Sequence, residues 1–177
     1  VEWVPRYLAE KSADYVQLIH CAVIRNTEGR YCVLRRIQRS SAGISRKLSL
    51  LVGGHVDRIE TSGVPVSVQA VLYETLLREL EEEVGLAATE LRPLGILCDR
   101  RTIDSSRHVA FVFEALATED SALRVIATEE FSRRSRYSLK FLSVADLVEH
   151  EKDLDPWSRM TVSLLLSKPQ RELGLKE

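Results

Sequence analysis

Apolar residues are concentrated in two segments near the start of the chain, residues 16–25 and 30–36. Both segments are rich in Val, Ile, Leu and Tyr, which are residue types that favour strands. Between them lies Asn26-Thr27-Glu28-Gly29, whose composition is typical of a tight turn. The pattern predicts a β-hairpin.

The next apolar run is short and is bounded by polar chain on both sides. Residues 48–52 predict a buried strand that ends at Gly53 and Gly54. Residues 38–46 are polar and basic, and they predict a mobile surface loop. Residues 1–14 show no period, so we expect a tail or a short edge element there.

A helical period follows from about residue 66 to residue 84. Its apolar residues recur at intervals of three and four, which predicts one buried stripe along a helix. Gly85 is placed as the residue that ends this helix. The stripe consists of Ala70, Tyr73, Leu76, Leu77, Leu80 and Val84.

The second half of the chain predicts three strands and two further helices. The strands are expected at residues 91–101, 108–116 and 140–143, and the helices at 144–150 and 156–167, with Ser143 and Asp155 as N-caps. Strands therefore precede and follow a central helix. We predict one domain over residues 1–177, with an α/β fold in which helices cover a mixed β-sheet.

Composition narrows the possible classes of binding partner and the possible cellular compartment of the protein. The chain has 177 residues, 45% of them hydrophobic, with 25 Lys and Arg against 26 Asp and Glu. Such a balance gives no support for binding duplex nucleic acid or a membrane surface. The odd number of cysteines, Cys21, Cys32 and Cys98, indicates reduced core thiols. With no signal peptide or apolar span visible, we expect a cytoplasmic protein and leave a homodimer open.

The end of the central helix carries an unusual cluster of glutamates. At 100° per residue, Glu79, Glu83 and Glu82 fall at about 0°, 40° and −60°, beside the apolar stripe, whereas Glu81 lies about 200° around. Carboxylates in a last turn face the negative end of the helix dipole, and Glu79 and Glu83 repel each other. This placement favours a divalent cation over an ordinary solvated face.

Arg78 lies within reach of two of the helix carboxylates. A pair with Glu74 would be an ordinary surface ion pair, whereas a pair with Glu82 would orient a metal ligand. The second pairing is the one we expect.

The segment around these glutamates resembles the signature of the Nudix hydrolases. That pattern reads Gly-x5-Glu-x7-Arg-Glu-U-x-Glu-Glu-x-Gly-U, where U is aliphatic, and its fixed positions match from Gly54 and Glu60 to Arg78 and Leu86. The departure is the gap after Glu60, where seventeen residues stand in place of seven. We interpret this difference as an insertion of ten residues within Thr61 to Leu77, in the form of a longer loop and an extra helical turn.

The resemblance implies an α/β/α sandwich that hydrolyses a nucleoside diphosphate linked to another group, using Mg²⁺ or Mn²⁺. It implies that the metal is held by three glutamates and one main-chain carbonyl, and that a loop residue supplies a base. The implied metal ligands are Glu79, Glu82, Glu83 and Gly53; the implied catalytic residues are Glu82, Glu79, Arg78, Glu129 and Glu130; the implied supports of the metal loop are Gly54 and Glu60.

The chemistry agrees with this assignment, because an anionic anhydride needs its charge neutralised and its attacking water activated. Arg35, Arg36 and His55 are candidates for contacting substrate phosphate. Trp157 and Met160 read as core residues rather than as a platform for a base.

Two other functions stay open from the sequence. An isoprenoid-diphosphate isomerase would have the same fold but needs a cysteine in its site. A non-catalytic module would bind a nucleotide and serve as a sensor.

Overall fold

We describe the fold from a computed structural model, in residues 2–40, 43–45, 47–56, 67–88, 90–118, 123–127, 131–132 and 138–167. The predicted positions Glu60, Glu129 and Glu130 lie outside these residues, as do residues 61–66, the first part of the segment that carries the insertion. In the described ranges, no helix is long and apolar enough to cross a membrane.

Strands precede and follow the central helix, as the sequence predicts, but the strand expected over residues 91–101 ends at Cys98, and a short helix that the pattern does not predict follows it at Ile103–Ser106. The strands are β1 Gln17–Asn26, β2 Tyr31–Arg35, β3 Gln38–Ser40, β4 Gly43–Ser45, β5 Leu48–Ser49, β6 Leu51–Val52, β7 Leu91–Cys98, β8 His108–Ala117 and β9 Lys140–Leu142. The helices are α1 Arg6–Lys11, α2 Val68–Val84, α3 Ile103–Ser106, α4 Val144–Glu149 and α5 Pro156–Leu166.

A mixed sheet forms the centre of the molecule. Within the described part of the chain it contains seven strands, with β5, β2, β1, β8 and β7 in that order, β6 paired with β1 and β9 paired with β2. The β1–β8 pair is parallel over ten residues, whereas β1–β2 and β7–β8 are antiparallel. The predicted hairpin and the α/β fold with a mixed sheet are confirmed.

Both faces of the sheet are buried because helices cover each of them. On β1, Ala22 and Ile24 pack with α2 in one core, while Cys21 and Val23 pack with α4 and α5 in the other. Successive residues of a strand point to opposite faces, so this alternation follows from the strand geometry. The near-continuous apolar run of β1 is what a doubly covered strand requires.

Helix α2 has a defined start and a defined end. The Ser67 hydroxyl caps the first turn by accepting a hydrogen bond from the Ala70 N–H at 3.1 Å. Gly85 adopts the left-handed conformation, with φ at 69°, and ends the helix as predicted. Leu76, Leu80 and Val84 are completely buried, so the predicted stripe faces the sheet.

The predicted strand over residues 48–52 is divided at Leu50. Strand β5 pairs with β2 and strand β6 pairs with β1, so the chain changes partner between them. At the change, the buried Leu50 N–H donates to the Ser158 hydroxyl of α5 at 2.9 Å. A tertiary hydrogen bond replaces the one that a continuous strand would have supplied.

Other local expectations require correction. The N-terminal tail contains α1, and the predicted loop over residues 38–46 contains β3 and β4, which form a two-stranded sheet. Alternation over such short segments is too brief to distinguish a strand from a loop. Cys98 is exposed, so the prediction of a core thiol is wrong at that position and holds for Cys21 and Cys32.

We expect Ser158→Ala to lower the free energy of unfolding by about 1–3 kcal/mol, because the buried Leu50 N–H loses its acceptor. Urea unfolding followed by circular dichroism measures the change. Ser163→Ala, an exposed site on the same helix, is the matched control and should change stability by less than about 0.5 kcal/mol. Equal effects at both positions would contradict the assignment of this hydrogen bond.

Candidate active site

A cleft of about 990 Å³ opens beside the glutamates of α2. It crosses from the α2 side of the sheet to the start of α5, and residues of β1, β6 and α3 also line it. Small-molecule sites commonly enclose roughly 300–1,000 Å³. The cleft is therefore large enough for a nucleotide.

Gly53 brings the backbone against β1 at the centre of the cleft. Its φ is 124°, and a Cβ atom built there would lie 2.5 Å from the His20 carbonyl oxygen. Only glycine adopts this conformation at such close range without displacing its neighbours. The Gly53 N–H donates to the Glu83 carboxylate at 3.3 Å, so the tight turn also orients a glutamate.

Glu79 and Glu83 both line the cleft. The Glu83 residue is only 6% exposed and the Glu79 side chain 18% exposed, so both carboxylates are substantially removed from water. They project from the edge of the α2 stripe, as the helical angles predict. The structure thus brings two of the predicted ligands together with Gly53.

Glu82 has a different environment. Its side chain is 57% exposed and pairs with the Arg78 guanidinium at 2.7 Å, while Arg78 also donates to Glu79 at 2.9 Å. The expected Arg78–Glu82 pair is present. Among the residues that the structure describes, no three His, Cys, Asp or Glu side chains lie together as an ion-binding group. Convergence of all three glutamates stays a prediction.

His20 is a cleft residue that the sequence analysis missed. It is completely buried on the α2 side of β1, and its Nδ1 lies 3.0 Å from the Thr75 hydroxyl oxygen. That hydroxyl donates to the Val71 carbonyl at 2.6 Å, so it accepts from His20, and Nδ1 carries the proton. A histidine inside an otherwise apolar strand is the sequence signal that could have identified it.

Several groups with positive or hydrogen-bonding character line the same cleft. Of the predicted phosphate contacts, Arg36 and His55 are lining residues, and Arg35 is not among those that the structure places there. Arg36 lies over the Phe131 ring at 5.2 Å, and His55 meets His108 edge to face at 5.5 Å. Both residues are therefore held in place by aromatic contacts.

Helix α1 contributes an unpredicted residue, Arg6, to the cleft. Arg6 pairs with Glu10 one turn later at 2.7 Å, and this hydrogen bond is the main cause of a lowered pKa for Glu10. The charges of His55 and His108 lower that pKa further. The N-terminal segment, for which the sequence predicts a tail or a short edge element, therefore contributes Arg6 to the wall of the cleft.

Cys21 also lines the cleft. Burial raises the pKa of its thiol to about 12, so the thiol is neutral near pH 7. Its sulfur contacts the Phe111 carbonyl oxygen at 3.9 Å. The cysteine is near the site but is not prepared as a thiolate nucleophile.

Trp157 and Asp155 complete the cleft at the start of α5. Trp157 is half-buried and lines the cleft, so it is not solely the core residue that the sequence suggested.

Gly54 has space around its Cα, unlike Gly53, because a Cβ atom built there would meet nothing within 4 Å. The Gly54 carbonyl accepts from the His20 N–H at 3.0 Å, which joins the segment after β6 to β1.

Comparison with solved structures identifies the same fold in several Nudix proteins. Tm1382, a candidate Nudix hydrolase, shares 21% identity over 92% of this chain and 77% of its own, with a TM-score of 0.65. A MutT Nudix hydrolase from Burkholderia pseudomallei shares 20% identity over 84% of this chain and 97% of its own, with a TM-score of 0.58. The Nudix domain of Shewanella oneidensis NrtR, solved with ADP ribose, shares 17% identity over 90% of this chain and 94% of its own, with a TM-score of 0.53.

Comparison with curated proteins found no match. The model of the NUDIX domain, in contrast, matches residues 17–165, which include the sheet, α2 and nearly all of α5. The match therefore spans both sides of the cleft as well as the glutamate helix. The chain belongs to the Nudix family.

Proposed function

We propose that the protein hydrolyses the pyrophosphate linkage of a nucleoside diphosphate joined to another group, and that it requires a divalent metal. The observation that carries the proposal is the placement of Glu79, Glu83 and the Gly53 backbone in one cleft. The carboxylates attract cations, and Arg36 in the same cleft attracts phosphate. A diphosphate that binds together with its metal ion needs both the carboxylates, for the cation, and a positive side chain, for the phosphate.

The donor set fits Mg²⁺ or Mn²⁺. Carboxylate and carbonyl oxygens are hard ligands of the kind that these ions prefer. Glu79 and Glu83 would hold the metal, with the Gly53 carbonyl and Glu82 completing the protein ligands. Exposed ion pairs such as Arg78–Glu82 contribute only about 0.2–1 kcal/mol, so this pair can orient Glu82 without preventing it from binding a metal. When bound, the metal would neutralise phosphate charge and acidify a water molecule.

The remaining roles belong to the chain itself. Arg36 and His55 would bind phosphate oxygens, and Arg78 would orient Glu79 and Glu82 through its two ion pairs. Glu129 and Glu130 stay our candidates for a base supplied from a loop. Clustered carboxylates titrate as a group, so no single member of the helix cluster is assigned as the base.

The class of substrate rests on chemistry and on one relative. The NrtR domain binds ADP ribose, a nucleoside diphosphate linked to a sugar, and this supports the same class of substrate here.

We also propose a cytoplasmic location, which the lack of any disulfide among Cys21, Cys32 and Cys98 supports.

The isomerase alternative gains one observation, because Cys21 does line the cleft. Its thiol is neutral, which suits a proton donor, but its contact is with the Phe111 carbonyl. Cys21→Ala separates the two functions. A hydrolase keeps its turnover in this variant, whereas an isomerase that uses this thiol loses its activity.

We expect hydrolysis to depend entirely on added metal. Protein treated with EDTA should show no turnover of nucleotide sugars, ADP-ribose, dinucleoside polyphosphates, dinucleotide cofactors or triphosphates, and Mg²⁺ or Mn²⁺ should restore it for at least one of them. Phosphate release and chromatography of the products measure the reaction. If no compound is cleaved with either metal but one binds tightly in calorimetry, the protein is a nucleotide-sensing module instead.

We expect Glu79→Gln, Glu82→Gln and Glu83→Gln each to lower kcat at least about 100-fold, because each removes one negative charge that holds the metal. Steady-state kinetics at saturating Mg²⁺ measure the change. Glu81→Gln is the matched control, since Glu81 lies on the exposed face of the same helix turn, and it should retain full activity. Full activity in Glu82→Gln would remove Glu82 from the proposed ligands.

A further inference from the structure

We propose that Trp157 binds the nucleobase of the substrate by stacking, an inference that rests on the proposed function and specifies how the nucleoside lies. Part of the indole packs against the core on the α5 side of the sheet, and the remainder lines the cleft. Every nucleobase presents a π-face to an aromatic ring of this kind. Among the described residues, Trp157 is the tryptophan that lines the cleft.

The ring is attached to a firmly anchored helix start. The Asp155 N–H donates to the Leu48 carbonyl at 2.8 Å, and the Asp155 carboxylate accepts from both the Ser158 N–H and the Ser158 hydroxyl at 2.9 Å. Pro156 occupies the first helical position, where its fixed φ suits the helix. A platform that is rigid before binding loses little conformational freedom when a ligand arrives.

The start of α5 lines the same cleft as Gly53 and Glu83. Ser158 accepts from the Leu50 N–H, which places the first turn of α5 beside the junction of β5 and β6. Leu51, in β6, and Gly53, two residues later, both line the cleft. Trp157, Gly53 and Glu83 line one cleft, so we expect a base on Trp157 to leave the sugar and its phosphates in the part of the cleft that Gly53 and Glu83 line.

The sequence interpretation of Trp157 as a core residue explains only part of its environment. Tryptophan is seldom fully enclosed even in a core, but this one also lines the cleft, which packing alone does not require. Trp3, in comparison, is 44% exposed and does not line the cleft. The two tryptophans thus provide a test residue and an internal control.

Tryptophan fluorescence tests the proposal without any turnover. In Trp3→Phe, Trp157 is the sole tryptophan. With EDTA present, at least one of the 5′-monophosphates of adenosine, guanosine, cytidine and uridine at millimolar concentration should quench its emission saturably, whereas ribose 5-phosphate should not. Absence of quenching by all four nucleotides, or equal quenching by ribose 5-phosphate, would overturn the proposal.

Variants at the two positions provide the second measurement. Trp157→Leu should raise the KM of the nucleotide substrate about 10-fold, because stacking on an aromatic ring contributes to binding, while kcat changes less than about threefold. Trp157→Phe should recover most of the loss, and Trp3→Leu should leave KM unchanged. A purely structural role for Trp157 would lower kcat as much as it raises KM in Trp157→Leu, and that result counts against the proposal.

The two proposals fail in different ways. Quenching by a nucleotide together with no hydrolysis in the presence of Mg²⁺ supports the base platform and rejects the hydrolase. Hydrolysis without any quenching rejects the platform and leaves the hydrolase standing.

Discussion

The close approach of Gly53 to strand β1 is the constraint on which the site depends. A side chain at this position would contact the His20 carbonyl at 2.5 Å, the Cys21 Cα at 3.0 Å and the Leu76 side chain at 3.1 Å. The loop, the central strand and helix α2 therefore meet at one point with no spare volume. Because the Gly53 N–H also reaches Glu83, the same turn is joined to a carboxylate of the helix as well as to the sheet.

Helix α2 combines two requirements that oppose each other. Leu76, Leu80 and Val84 bury one stripe completely, and this burial sets the rotation of the helix about its axis. The same rotation brings Glu79 and Glu83 to the cleft, near the negative end of the helix dipole, where carboxylates destabilise the fold. The apolar stripe thus offsets the cost of a charged site that a cation would relieve.

Periodicity predicted the parts of the structure that depend on local pattern. The bounds of α2 agree within two residues, and the caps Ser143 and Asp155 are correct, because each rests on neighbouring residues alone. Angles on a helical wheel also placed Glu79 and Glu83 correctly at one wall. They could not place the Glu82 carboxylate, whose direction is set by side-chain torsions and by Arg78.

Residues that enter the site through tertiary contacts escaped prediction. His20 belongs to the cleft because Gly53 and Thr75 meet it from other elements, and Arg6 because α1 lies beside the cleft. Trp157 looked like core because an apolar helix position gives no indication of a neighbouring opening. The break at Leu50 depends on Ser158, a residue far along the chain that no local pattern connects with it.

The parallel pairing of β1 with β8 has a consequence for how the molecule folds. Residues in contact across this pair, such as Cys21 and Phe111, are 90 positions apart in the chain. Contacts of such long range require closure of a large loop before they contribute any stabilisation, and they slow folding. During synthesis, the hairpin of β1 and β2 and the glutamate helix emerge long before β8. Until β8 arrives, one edge of β1 stays unpaired, and an unpaired edge is a surface on which newly made chains can associate.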